Sequence, residues 1–148
     1  MTDIKLEVNG TDIRYNYSCC KFKDHVCSKV AKSTLWDEDG DGLVLYIDRH
    51  LIFCGNFSFI SSFQLERMNS QIRYSYTCCE LFDRKWQSLT QCFDKSTAYV
   101  PNNERSIFTW PQIPVACDPG FGLSSLLLKR DASWAEWKFE FRCCKVVY

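Results

Sequence analysis

Charge of one sign is what this chain lacks first. Its 148 residues carry 18 Lys plus Arg against 18 Asp plus Glu, and no basic run stands out. A phosphate backbone is gripped by a local excess of cations, so the balance counts against an electrostatic nucleic-acid binder. No stretch approaches the ~18 apolar residues that a membrane-spanning helix needs, so no transmembrane segment is expected. The opening MTDIKLEVNGTDIRY has no apolar core of a signal peptide, and the numbering is expected to begin after signal removal or inside a longer precursor. Helical periodicity never lasts beyond a turn or two. Catalytic signatures are equally scarce. There is no G-x-S-x-G nucleophile turn, and the two histidines, His25 and His50, lack zinc-ligand spacing. Asp48-Arg49-His50 reads as a structural polar cluster at a strand end, and nothing singles out one carboxylate pair for glycoside hydrolysis. No catalytic residue is assigned, and the chain is read as a non-enzyme.

What is present is cysteine. Ten in one chain is far more than a thiol-reducing compartment favours, and an even count reads as disulfides. Three sequons, at Asn9, Asn16 and Asn56, fit the same secretory history and mark candidate glycosylation sites. Aromatic residues reach 16%, which favours strands.

Self-comparison exposes a repeat. Ile13-Arg-Tyr-Asn-Tyr-Ser-Cys19-Cys20 matches Ile72-Arg-Tyr-Ser-Tyr-Thr-Cys78-Cys79 at a constant offset of 59 residues. Trp137-Lys-Phe-Glu-Phe-Arg-Cys143-Cys144 is the third copy, and each is preceded by a shorter apolar-polar alternation around Leu6, Leu65 and Leu128. The intervening stretch from Thr34 to Cys54 matches Thr97 to Cys117 at offset 63. The chain is therefore expected to be one domain, 1–148, of about two and a half repeats: 1–53 with a truncated start, 54–116, and 117–148 with a truncated end.

Each matched pair predicts an antiparallel hairpin. Ile72, Tyr74, Tyr76 and Cys78 alternate with Arg73, Ser75, Thr77 and Cys79, the two-residue period of a half-buried strand. Three hairpins with one apolar face each can bury those faces only against one another. The expected fold is all-β, a pseudo-threefold β-prism or trefoil, with a two-sheet sandwich as the less symmetrical alternative. The stretches between Cys-Cys pairs and the next repeat are expected to be a loop followed by a further hairpin.

Adjacent cysteines on a strand point to opposite faces, so a Cys-Cys pair is not expected to bond to itself. The repeat then suggests that Cys54 takes one of Cys78 and Cys79, and Cys92 the other. Cys117 takes one of Cys143 and Cys144, and Cys27 one of Cys19 and Cys20. The remaining thiols of the first and last copies are expected to bond to each other and close the ring. Bonds to neighbouring molecules are the competing reading.

Asp37-Glu-Asp39-Gly-Asp41-Gly42, with Asp48 at the twelfth position, resembles the start of an EF-hand loop. Asp48 replaces the bidentate glutamate, and the flanks Thr34-Leu-Trp36 and Leu43-Val-Leu-Tyr-Ile47 look like strands. A solvated hairpin turn is the first reading, and a weak calcium site at Asp37, Asp39, Asp41 and Asp48 the second. Of five tryptophans, Trp134 sits in the longer turn of the third copy with no aromatic counterpart in the others. It is the one expected to be exposed and available to a sugar ring or a membrane interface. The truncated first hairpin is expected to leave a strand edge open, and open edges recruit partner strands.

Asp83-Arg-Lys-Trp86-Gln and Trp137-Lys-Phe-Glu-Phe-Arg-Cys-Cys144 resemble the D-R-x-W-x-F-x-C-C motif of dermatopontin, a matrix protein. Trp110-Pro with Cys117-Asp-Pro-Gly-Phe-Gly-Leu-Ser is similar to segments of vitelline membrane outer layer protein, a three-sheet β-prism. Apicomplexan perforin C-terminal domains have similar cysteine-rich threefold repeats. These resemblances imply a secreted or cell-surface protein that forms coats, adheres to matrix or glycan, or targets a surface. Self-association into a coat, matrix or filament is the expected function, and glycan or membrane recognition within a larger surface or pore-forming protein the alternative.

Overall fold

The computed structural model describes residues 1–9, 12–18, 27–42, 44–81, 91–101 and 114–145. It is all-β, and every strand pairing in it is antiparallel. Three hairpins form where the alternation predicts them: β1 (Asp3–Asn9) with β2 (Asp12–Ser18), β6 (Ser58–Met68) with β7 (Gln71–Leu81), and β11 (Phe121–Arg130) with β12 (Glu136–Lys145). The tight turn of the second hairpin puts Asn69 at φ 56°, a left-handed conformation that asparagine tolerates better than most residues. In β6 and β11 the register slips between Ile60 and Ser62 and between Leu123 and Ser125. The two bulges fall at matched Ser-Ser pairs. Ser61 Oγ donates to the Thr77 carbonyl at 3.0 Å and Ser124 Oγ to the Gly55 carbonyl.

The stretches between hairpins correct one expectation. Among the described residues they form no hairpins of their own. β3 (Cys27–Ser33) and β4 (Asp37–Glu38) both pair with β7, while β8 (Cys92–Ser96) and β9 (Val100–Pro101) both pair with β12. Each linking segment then crosses to another sheet. β5 (Ile52–Phe53) pairs with β11, Ile52 opposite Leu126, and β10 (Val115–Ala116) pairs with β1, Val115 opposite Ile4. The exposed edge groups of a hairpin strand are satisfied by the segment laid against them, which a chain folded back on itself would leave bare. A second correction concerns Val44–Arg49, which is a 3-10 helix rather than a strand.

Three sheets result: β10-β1-β2; β5-β11-β12-β8 with β9 also on β12; and β6-β7 with β3 and β4 on the outer edge of β7. Their inward faces meet in one core. Ile72, Tyr74, Tyr76 and Cys78 from β7 are buried in it with Trp137, Phe139, Phe141 and Cys143 from β12. Ile4, Phe63, Leu126 and Leu128 complete it from the first strands, and Ile52 and Val115 from the linking segments. Phe59 and Cys144 form a separate small cluster with Leu81 and Cys92. Gly122 is required where β11 passes β6, because a Cβ there would lie 2.5 Å from the Phe59 ring.

Four disulfides stitch the described residues: Cys54–Cys78, Cys117–Cys143, Cys27–Cys79 and Cys92–Cys144. The first two fit the expected pairing of a leading cysteine with its own copy. The other two overturn it. Cys27 and Cys92 do not bond within their own copies but 52 residues onward, because β3 and β8 lie along the next hairpin. Closure between the first and last copies is also overturned, since Cys143 and Cys144 are both taken. Cys19 and Cys20 lie outside the described residues. Among those residues, no helix is long and apolar enough to cross a membrane.

Candidate functional site

The alternation that buries β7 and β12 continues through β2, yet the outcome there differs. Tyr15 packs its ring 4.7 Å from Phe63, and its hydroxyl lies 2.7 Å from that of Tyr74. Burial pushes the Tyr15 phenol up to about 12, and burial raises Tyr74 also. Tyr17, two residues on, is 42% exposed, while its counterparts Tyr76 and Phe141 are 9% and 7% exposed. Tyr76 and Phe141 lie in strands flanked on their outer side by β3 and β8, which place Lys32 and Lys95 opposite them. Among the described residues, β2 pairs with β1 and no other strand. The truncated first copy suggests an open edge, and among the described residues nothing pairs with the outer side of β2.

The linking segments are held to their strands by the same device twice. Thr34 N–H donates to the Tyr74 carbonyl while its hydroxyl accepts from Tyr74 N–H, both at 2.9 Å. Thr97 repeats this on Phe139, with both bonds at 3.0 Å. A threonine in this place satisfies two backbone groups at once. The matched Thr34 and Thr97 are visible in the sequence, but their role as clamps is not.

The second candidate is the turn 131–136. Asp131 Oδ1 accepts from Glu136 N–H at 3.0 Å, and Oδ2 accepts from the Ser133 hydroxyl. The Ser133 bond and then the backbone N–H of Glu136 hold the Asp131 carboxyl below its usual range. At the tip, Trp134 adopts φ 62° and is 56% exposed. The Arg130 guanidinium stacks 3.7 Å from its ring centroid and is paired with Asp48, so one cation joins the exposed indole to the 3-10 helix.

The acidic positions are dispersed by that arrangement. Asp37 pairs with Arg49 at 3.1 Å, Asp39 lies 2.5 Å from Arg67, and Asp48 is drawn to Arg130. Asp39 Oδ1 accepts from Asp41 N–H at 3.0 Å, which caps a turn with Asp41 at φ 58°. Among the described residues, no three His, Cys, Asp or Glu side chains come together as a metal-binding group. Gly40 is needed here for packing, since its φ is +57° and a Cβ would strike the Tyr46 ring. His50 is buried, its Nδ1 2.9 Å from the Thr34 hydroxyl, and burial lowers its pKa. His25 lies outside the described residues.

Asn16 and Asn56 are exposed, and Asn56 Oδ1 accepts from Arg142 at 3.0 Å. Asn9 closes the β1–β2 register opposite Asp12. Trp86 and Trp110 lie outside the described residues, Trp137 is buried, and Trp36 lies under the Arg73 guanidinium. Sequence reasoning missed a groove of about 440 Å³ on the β8-β12-β11 sheet, lined by Leu51, Asp94, Lys95, Leu127, Glu140 and Phe141 among others. It joins side chains from three strands and the residue before β5, a proximity that no linear motif carries. No family model, no curated protein and no solved structure matches the chain.

Proposed function

We propose that this chain is an extracellular structural or adhesive module that associates with copies of itself into a coat, matrix or filament. One observation carries the reading: the core-facing aromatic row of β2 ends in the exposed Tyr17, at an edge with which no described strand pairs. An edge strand with an apolar side chain offers both backbone hydrogen bonds and burial to an incoming strand. Four disulfides suit a protein that must persist in an oxidising, protease-rich exterior, and glycans on Asn9, Asn16 and Asn56 belong to the same reading. The three hairpins, each flanked by linking strands, support a pseudo-threefold β-prism as the architecture. The resemblance to dermatopontin and vitelline membrane outer layer protein points the same way, towards a non-catalytic role.

The test is light scattering and electron microscopy of secreted protein across a concentration series. Ordered multimers that disappear in Tyr17→Lys support the reading, and monomers at every concentration overturn it. Trp134 favours a second reading, recognition of a glycan or membrane surface, with its indole presented beside Arg130. Saturable sugar or liposome binding lost in Trp134→Ala supports that reading.

A further inference from the structure

The sheet built on β11 and β12 has a second face, turned away from the core. In β12, Trp137, Phe139 and Phe141 point into the core, so Lys138, Glu140 and Arg142 point outwards. Residues directly opposite one another share a face, and strand register extends this outer face sideways. Leu127 of β11 and Ser96 of β8 flank Glu140, while Ser125 and Asp94 flank Arg142. The groove of about 440 Å³ takes its lining from Asp94, Ser96, Ser125, Leu127 and Glu140 of this face, with Leu51 beside them. One wall is therefore aliphatic, Leu127 with the half-exposed Leu51. The other is polar, and Glu140 lies between the two.

Each charge that lines the groove is already balanced. Asp94 accepts from Arg142 Nε at 2.7 Å and Nη2 at 3.0 Å, and Arg142 Nη1 is fixed in turn on Asn56 Oδ1 at 3.0 Å. Glu140 lies 3.0 Å from Lys138 and 3.3 Å from Lys129, and Lys95 lies 2.6 Å from Asp118. The Arg142 bond holds the Asp94 carboxyl below its usual range. Burial works against an ionised Glu140, yet the bonds from Lys138 and Lys129 hold its carboxyl low as well. The groove thus offers ionised acceptors held in place, without the net charge that would draw an ion. A carboxylate has about four lone-pair sites, so cations on one side leave others for a further donor. A purely apolar ligand would strand these groups without partners. The occupant needs hydroxyl donors along one edge, a C–H face for Leu127 and Leu51, and no charge of its own.

We propose that this groove binds a neutral saccharide, with the C–H face of a pyranose ring on Leu127 and Leu51 and its hydroxyls donating to Asp94 and Glu140. The hydroxyls of Ser96 and Ser125 complete the polar contacts. The volume lies within the ~300–1,000 Å³ of small-molecule sites, and acceptors fixed beforehand lose little freedom when the ligand arrives. The inference rests neither on self-association nor on Trp134. The saccharide has two possible sources. Asn56 belongs to a sequon and meets Arg142 through Oδ1, so a glycan on its Nδ2 would start beside Asp94 and leave that bond intact. The other source is a saccharide carried by a separate molecule.

The test is an amide NMR titration of the secreted protein and of its Asn56→Gln variant, with methyl α-mannoside, methyl β-galactoside and N,N′-diacetylchitobiose as probes. At least one probe is expected to give saturable shifts centred on Ser96, Ser125, Leu127 and Glu140. Asp94→Ala should weaken that binding about tenfold or more. Ser96→Trp, which fills the groove from an exposed position, should abolish it, and Trp134→Ala should leave it unchanged. Binding by both forms of the protein assigns the groove to a separate saccharide. Binding by Asn56→Gln alone means that the chain's own glycan fills it. The proposal is overturned if neither form gives saturable shifts, or if heparin, a polyanion, binds more tightly than every neutral probe. Binding that Trp134→Ala removes and Ser96→Trp keeps would overturn it too, and would place recognition at the turn instead.

Discussion

The sheet built on β11 and β12 and the sheet built on β1 and β2 start from matching sequence and end in different states. In the first, β8 and β9 cover one edge and β5 the other, and Cys143 and Cys144 are both bonded to linking segments. In the second, β10 covers one edge, and among the described residues no strand pairs with the other. The same inward position is 7% exposed as Phe141 and 42% exposed as Tyr17. Alternation in a strand therefore decides which side chains can be buried together. Whether they are buried depends on a segment arriving from elsewhere in the chain.

The sharpest test compares these two rings. Phe141→Ala is expected to cost about 3–5 kcal/mol in urea unfolding, as for a large core truncation, and Tyr17→Ala less than about 1 kcal/mol. Equal costs would mean that the β2 row is packed as firmly as the β12 row. Next in size is the Cys92→Ala/Cys144→Ala pair, which opens a 52-residue connection and is expected to cost roughly 2–5 kcal/mol. Limited proteolysis should then cut first within 91–101. Protection of that stretch would show that strand pairing alone holds β8.

A smaller effect is expected from the threonine clamp. Thr97→Val leaves the Phe139 N–H without its side-chain acceptor and should cost about 1–3 kcal/mol. Hydrogen exchange at Phe139 should speed up while exchange at Tyr74, held by Thr34, stays unchanged. The smallest expected effect is the alkaline one. The folded-state pKa of Tyr15 is about 12 against an ordinary 10.0, so the unfolded chain loses the proton first. The stability from keeping this phenol neutral is complete below about pH 10 and is lost as pH rises towards 12. Tyr15→Phe should flatten the fall in melting temperature over that range. An unchanged slope would mean that the link between β2 and β7 is not made through this hydroxyl.

Several parts of the fold were legible before any coordinates. The period-two rows of Ile72–Cys78 and Trp137–Cys143 lie in the core, because a strand's geometry is local and leaves its side chains only two directions. That Cys54 bonds within the Cys78-Cys79 pair and Cys117 within Cys143-Cys144 was legible for a related reason, since the leading cysteine lies just ahead of the hairpin it joins, but which member it takes was not. The partners of Cys27 and Cys92 were not. Their strands rise against hairpins about fifty residues away, and no rule of spacing says which edge a short strand will choose. The run Leu43–Ile47 reads as a strand because a short apolar run satisfies either period, yet Val44–Arg49 forms a 3-10 helix. The exposure of Trp134 was anticipated from its uniqueness among the copies, but its contact with Arg130, itself tied to Asp48, depends on residues 82 positions apart.

By itself the sequence determined that this chain is all-β, that three hairpins recur in it, and which face of each core strand is apolar. Those properties follow from alternation and repetition, which act over a few residues. Only the tertiary structure decided which hairpin each linking segment covers and which cysteine it bonds. Those choices are made between backbone groups and apolar faces far apart in the chain. They are fixed by which pairing leaves the fewest of them unsatisfied.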